Sequence, residues 1–395
     1  MVKNSAFPYR RGSGSSEKDF FDIPDESVLA VVKRQFRRVR TWATIVLFIL
    51  LIKWWRREGP PPPPLPHLNY DKIDWSRFAY TQYATSETYL CNSVMVFEAL
   101  SRLGSRADRV LFYPKEWDLV AENDADRISQ LLIMAKEKLN VQVVPVTIEG
   151  IQVGSDEDWK LTTPFFDSLE ASRASWDTST AKLFAFGVVQ YDRVIHLDSD
   201  MTLLQPMDEL FFLPPSTVAM PRAYWLLPET HALSSLIAVI EPSYREYTSL
   251  KEEIKPAIFG QIEMNLTAKR YDMEVLNTRY GNSATVLPHR QYGLVSGEFR
   301  TKNHEFFLGG PHEEWNPDKV LGEAKFVHFS DWPLPKPWVM WPQAQLAELQ
   351  PACDNNPGTP EESGCRDREV WKELYNDFRR RRKDICKLLS YPAPV

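Results

Sequence analysis

The sequence predicts an α/β domain on a mostly parallel sheet, and three observations carry that expectation. Short apolar runs alternate with segments of helical spacing between residues 77 and 146, as in a parallel sheet with both faces covered. A further apolar run, Val194-Ile195-His196-Leu197, closes on two carboxylates, Asp198 and Asp200. Neither glycine-rich phosphate loop, G-x-x-x-x-G-K-[ST] or G-x-G-x-x-G, is present, which argues against kinases, ATPases and dinucleotide enzymes.

Arg77 to Thr85 reads as the first strand and its exit. Ser86 is placed to cap a helix, with Val94, Val96, Phe97 and Leu100 at helical spacing. Val110 to Tyr113 is a second strand, Ile128 to Leu139 a helix and Val141 to Val146 a third strand. Ligands of such sheets bind outside the carboxyl ends of the strands. Asp198 and Asp200 close a strand, where residues two apart share a face. They can therefore converge on one hard cation if the backbone bends. Their closeness in sequence argues against a glycosidase, whose two carboxyl groups flank the bond about 5 to 9.5 Å apart.

The 395 residues suffice for one large or two modest domains. A net charge of −6 implies no general affinity for nucleic acid. The segment 1–40 begins with about 27 polar residues of disordered composition and ends in Lys33, Arg34, Arg37, Arg38 and Arg40. The segment 41–57 holds the apolar run from Trp42 to Ile52 and reads as an uncleaved signal anchor, with no small-residue cleavage site after it. The run is shorter than the roughly 20 residues a spanning helix wants, so Lys53 would snorkel and Trp54 and Trp55 would sit at the interface. The excess of basic residues before it puts the amino terminus in the cytosol and the rest in a lumen. Residues 58–72, with Pro60 to Pro64, form a stiff stem.

Cysteine is sparse, and Cys91, Cys353, Cys365 and Cys386 form no zinc pattern. Cys353 and Cys365 could form a disulfide in a lumen or stay as two thiols. Asn265-Leu266-Thr267 is a glycosylation sequon. Leu287 to Leu294 and Gly297 to Arg300 read as polar loops. Asp367 to Leu389 reads as a helix with Val370, Leu374 and Phe378 on one face and a solvated basic end, Arg379 to Lys383.

Three segments together resemble glycosyltransferase family 8, the glycogenin-like retaining transferases of the GT-A fold. They are Lys182 to Tyr191, Asp198-Ser199-Asp200 with Met201 to Phe211, and Phe326 to Trp338 with His328 and Lys336. The match runs from about Tyr80 to Trp338. It is nearest in form to the fungal Golgi N-acetylglucosaminyltransferases that go under the name glucose N-acetyltransferase.

The resemblance implies a catalytic domain over 73–345 and an accessory segment over 346–395. It implies Mn²⁺ on Asp198, Asp200 and His328, beneath the diphosphate of a UDP-sugar, with Asp198, Ser199 and Lys336 serving the donor. Mixed oxygen and imidazole donors suit Mn²⁺, and a lysine suits phosphate. On its own, His328 would read as a hydrogen-bonded residue of a Pro- and Trp-rich loop. The nucleotide would rest near Tyr83, Ala84 and Thr85. Lys182 would point to the donor sugar and phosphate, and Asp272 could bind a sugar hydroxyl.

Two segments depart from glycogenin: Ser234-Ser235-Leu236 stands for Asn-Ala-Gly, and Met273 for Gln. These departures argue against self-glucosylation. The resulting expectation is transfer of N-acetylglucosamine to a glycan or glycoprotein, with retention, by a single-pass type II Golgi membrane protein. Transfer from UDP-glucose or UDP-galactose, or a silent glycan-binding scaffold, is the alternative.

Overall fold

The structure is a computed structural model, and it describes residues 42, 44, 46–48, 70–121, 123, 126–147, 179–254, 271–329, 336–353, 366–388 and 391–392. The chain divides into Met1–Lys72 and Ile73–Val395. In the first unit Trp42, Thr44, Val46, Leu47 and Phe48 are helical and exposed, and the rest of 41–57 lies outside the described residues. Among the described residues no helix is long and apolar enough to cross a membrane. The sequon at Asn265 also lies outside them.

The second unit is built on one mixed sheet. Its strands are β1 (Phe78–Tyr83), β2 (Asp108–Pro114), β3 (Val141–Val146), β4 (Arg193–Leu197), β6 (Val218–Pro221), β7 (Ile237–Ile240) and β8 (Thr285–Leu287), in the order β3-β2-β1-β4-β7-β6-β8. A separate ribbon pairs β5 (Met201–Leu203) with β9 (Phe326–His328). Strands β3, β2, β1 and β4 are parallel, as the alternation of strands and helices predicts. Strand β7 runs antiparallel to both β4 and β6, and β8 is parallel to β6. The order reverses between β1 and β4, so their carboxyl ends open the crevice where such sheets take ligands.

Each strand feeds two cores by its period of two. Phe78, Tyr80, Leu111 and Tyr113 face one core, while Ala79, Val110 and Phe112 face the other. Helices α1 (Glu87–Arg102) and α2 (Arg127–Lys138) cover the first face. The hydroxyl of Ser86 accepts from Tyr89 N and caps α1, with Glu87 in the first turn, where an acid favours the helix dipole. The second face is covered by the 3₁₀ segment Ser179–Gly187, α3 (Tyr244–Ile254) and α4 (Asp272–Tyr280). Two segments expected as loops contain helical turns instead, His289–Tyr292 and Ser296–Arg300.

Helix α5 (Arg366–Cys386) buries Val370, Leu374 and Phe378, as its spacing predicts, and joins the first core. Its basic run is not a solvated end. Arg382 is 2% exposed and donates to Thr88 O and Asn92 Oδ1. Arg381 donates to Met95 O and Glu98, and Arg379 to Pro337 O. Only Arg380 and Lys383 of the run are exposed. The physical reason is that α5 lies along α1, whose carbonyls and polar side chains take up the guanidinium donors. A Cys91–Cys386 disulfide fastens the two helices across 295 positions. Cys353 is disulfide-bonded as well, while Cys365 lies outside the described residues.

Closing so long a loop restricts the unfolded chain, for about 6 kcal/mol in the chain-entropy picture. A Cys91→Ala/Cys386→Ala variant should therefore show a clearly lower urea midpoint than the oxidised protein. An unchanged midpoint would mean that packing alone holds α5.

Candidate active site

The site begins where β4 stops. Asp198 N donates to Leu236 O at 3.0 Å, and Gln82 Nε2 donates to Asp198 O at 3.4 Å. The chain then turns through buried Ser199 to Asp200 and enters β5. In the β5–β9 ribbon Met201 lies opposite His328. Phe329 N donates to Asp200 O, and His328 N to Leu294 O, both at 2.9 Å. These backbone bonds bring His328 to the acid pair. Its Nε2 lies 3.4 Å from Asp198 Oδ2 and 3.3 Å from Asp200 Oδ1.

Two lysines complete the cluster. Lys182 Nζ is 2.8 Å from Asp198 Oδ1 and 2.8 Å from Asp272 Oδ2, and its side chain is 8% exposed. Ser235 Oγ donates to Asp272 Oδ2 at 2.6 Å, and Lys182 donates to Ser235 O at 3.4 Å. Lys336 Nζ is 2.5 Å from Asp200 Oδ2 and donates to Phe329 O at 2.5 Å.

Ligand atoms from Asp198, Asp200 and His328 all lie within 4.8 Å of one another. His328 Nδ1 is buried without a hydrogen-bond partner, and Nε2 meets only the two carboxylates. An imidazole left unsatisfied beside two carboxylates fits a divalent cation, which accepts this mixture of donors. These three residues can therefore hold a metal ion.

No protein-family model matches the chain. Glucose N-acetyltransferase 1 of Aspergillus fumigatus is 62% identical over 385 residues, covering 97% of this chain and 96% of that protein. The chain belongs to the glucose N-acetyltransferase 1 family. The protein of that name from Gibberella zeae is 45% identical over 323 residues, covering 80% of this chain and 64% of its own. The Saccharomyces cerevisiae member is 24% identical over 435 residues, covering 80% and 83%. Among solved structures, the galactosyltransferase LgtC in complex with donor and acceptor sugar analogs shares 10% identity at a TM-score of 0.45 over 76% of this chain and 95% of that one. That likeness is too loose to add weight. Membership of this family makes the chain an enzyme, a transferase.

Charge in this family member's site is set by opposed effects. Burial alone would push the Lys182 ammonium toward neutrality, but Asp198 and Asp272 outweigh it and hold Lys182 well above its ordinary value. Burial pushes Asp198 up, and Lys182 followed by His328 pulls it below the usual carboxylate range. Asp200 is depressed too, by Lys336 and His328 against burial. Burial pushes His328 down, yet Asp200 and Asp198 leave it raised.

The structure thus places Lys182, Asp198, Asp200, Asp272, His328 and Lys336 in one cluster. Ala84 is fully buried, and its amide is taken by Phe112 O, so neither its side chain nor its N–H is on offer. Tyr83 stacks on His196, with centroids 5.9 Å apart. Thr85 is half-buried at the exit of β1. Ser235 is a site residue that the sequence does not single out. Its signal was the departure at Ser234-Ser235-Leu236, but its contact spans 37 positions to Asp272.

A metal needs neutral imidazole, so a proton on His328 competes with it. The carboxylates are already ionised and add no pH dependence near neutrality. The affinity for a divalent cation should therefore be flat above the raised His328 pKa and fall up to about tenfold per pH unit below it. Calorimetric titrations across pH 8 to 5.5 check this. The slope should vanish in His328→Gln.

Proposed function

We propose that the protein transfers N-acetylglucosamine from UDP-N-acetylglucosamine to a glycan acceptor, with retention at the anomeric carbon. The carrying observation is the convergence of Asp198, Asp200 and His328 between Lys182 and Lys336 at the sheet's switch point. Without a glycine-rich loop, a diphosphate must find its counter-charge in a cation and lysines, and this cluster supplies both. A Mn²⁺ held by the three ligands would supply Lewis-acid stabilisation of the charge that develops on the leaving diphosphate.

The chain's own groups do the rest. Lys336 releases Asp200 to meet a phosphate oxygen, as a mobile point charge can. Lys182, kept charged between two carboxylates, faces the donor's sugar–phosphate linkage. Asp272, oriented by Ser235, accepts from a sugar hydroxyl. Tyr83 and Thr85 border the nucleotide, with Ser199 at the turn between the two acids. An acceptor hydroxyl adds to the anomeric carbon as the bond to the diphosphate breaks, and its proton leaves with UDP. No residue is assigned as a covalent nucleophile. The apolar run within 41–57, its flanking basic residues and the stem at 58–72 support a type II anchor with the catalytic unit in the Golgi lumen.

The test is Mn²⁺-dependent UDP release across a panel of UDP-sugars. UDP-N-acetylglucosamine should be turned over, and EDTA should abolish the activity. Asp200→Asn should lose at least about a hundredfold. Preference for UDP-glucose or UDP-galactose would change the donor and keep the chemistry. Neither turnover nor Mn²⁺-dependent UDP binding would sink the proposal. Lys182→Met should lower turnover by about a hundredfold while UDP binding persists. Equal loss of both would make Lys182 structural only.

A further inference from the structure

Within Ile73–Val395, Trp225 and Phe306 are the only exposed tryptophan and the only exposed phenylalanine among the described residues, at 40% and 39%. They come from distant segments yet flank the same buried aromatic pair. Tyr224 sits edge-on to Trp225, with centroids 5.2 Å apart, and to Phe307 at 5.0 Å. His289 packs on Tyr224 at 5.2 Å, and Trp315 backs Phe307 at 5.9 Å. Core rings therefore fix the mount of both exposed rings. Exposing them costs stability that burial would have recovered, and clustered exposed apolar side chains mark a contact site.

Their place in the fold says what meets them. Tyr224–Leu226 follows the carboxyl end of β6. Strand β6 runs the same way as β4, because β7 is antiparallel to both. The turn therefore stands on the sheet edge that carries Asp198 and Asp200, on the side of the switch point away from β1, β2 and β3. Backbone bonds tie it to the cluster. Ala223 N donates to Ala232 O, and Ser234 N donates to Pro221 O at 2.8 Å. The next residue, Ser235, holds Asp272 beside Lys182. A donor whose nucleotide lies over the β1 side would point its sugar toward this half of the edge.

We infer that Trp225 and Phe306 form a stacking platform for a sugar ring of the acceptor glycan. The inference rests on the glycosyl transfer proposed above. The ligand class is a neutral oligosaccharide, because the C–H face of a pyranose is apolar and packs on a flat aromatic ring. Next to the platform, Glu229 and His231 are exposed and can hydrogen-bond hydroxyls at the ring's edge.

The test separates the two halves of the reaction in the full chain. Mn²⁺-dependent UDP binding and acceptor-independent UDP-sugar hydrolysis are measured first, then transfer to gluco-, manno- and galacto-oligosaccharides. Trp225→Leu keeps bulk and removes the flat face. It should raise the KM for the best oligosaccharide about tenfold or more, with hydrolysis and UDP binding unchanged. Phe306→Leu should act in the same direction, and Trp225→Tyr should restore most of the affinity.

A KM within twofold of the wild type in both leucine variants overturns the platform. So does Trp225→Leu losing hydrolysis in step with transfer while Phe306→Leu leaves KM unmoved. Wild-type protein that neither binds nor hydrolyses UDP-sugars removes the transferase reading itself, and that result is seen before any variant is made.

Discussion

The site depends on a two-stranded ribbon. Asp198 and Asp200 arrive by local chain geometry, but His328 arrives only because β5 and β9 pair antiparallel and Phe329 N reaches Asp200 O. Slipping that register by one residue would turn the imidazole to the other face. A third donor would then be lost, and Lys336, which closes onto Phe329 O and Asp200, would be carried away with it. The ribbon is therefore the register device of the site. It is anchored in turn by His328 N to Leu294 O.

Around this device the protein balances charge tightly. Asp198, Asp200 and Asp272 meet Lys182 and Lys336 in a space with little solvent. Removing one partner of a buried pair typically costs about 3–5 kcal/mol, a large part of the roughly 5–15 kcal/mol that holds a domain together. The same arrangement holds Asp198 and Asp200 ionised and ready for a cation. The lysines thus offset most of the cluster's negative charge until a cation and a diphosphate bring charges of their own.

Much of this was legible in the sequence, for identifiable reasons. Strands β1 to β3 and helices α1 and α2 announce themselves by period and by the Ser86 cap, which are local properties. The acid pair shows as two carboxylates at the end of an apolar run. Lys182, Asp272, His328 and Lys336 were reached through family resemblance, not periodicity. What stayed hidden depends on partners distant in sequence. No local pattern reports that β7 runs backwards. Four cysteines allow three pairings, so Cys91–Cys386 could not be read off. The basic run of α5 looked solvated because a sequence does not say that the carbonyls of Thr88 and Met95 await it.

The single reversed strand has a consequence for how such an enzyme can diversify. In a wholly parallel sheet, the segment entering a strand lies on the edge away from ligands. Because β7 is inverted, its entry segment, Leu233 to Leu236, comes up beside the exit of β4 and receives Asp198 N on Leu236 O. One side of the site is thus the turn that carries the acids, and the side beside it belongs to an independent stretch of chain. Substitutions in that second stretch can reshape what the site admits while the first stays intact. Drift in substrate choice can proceed there without passing through an inactive ancestor.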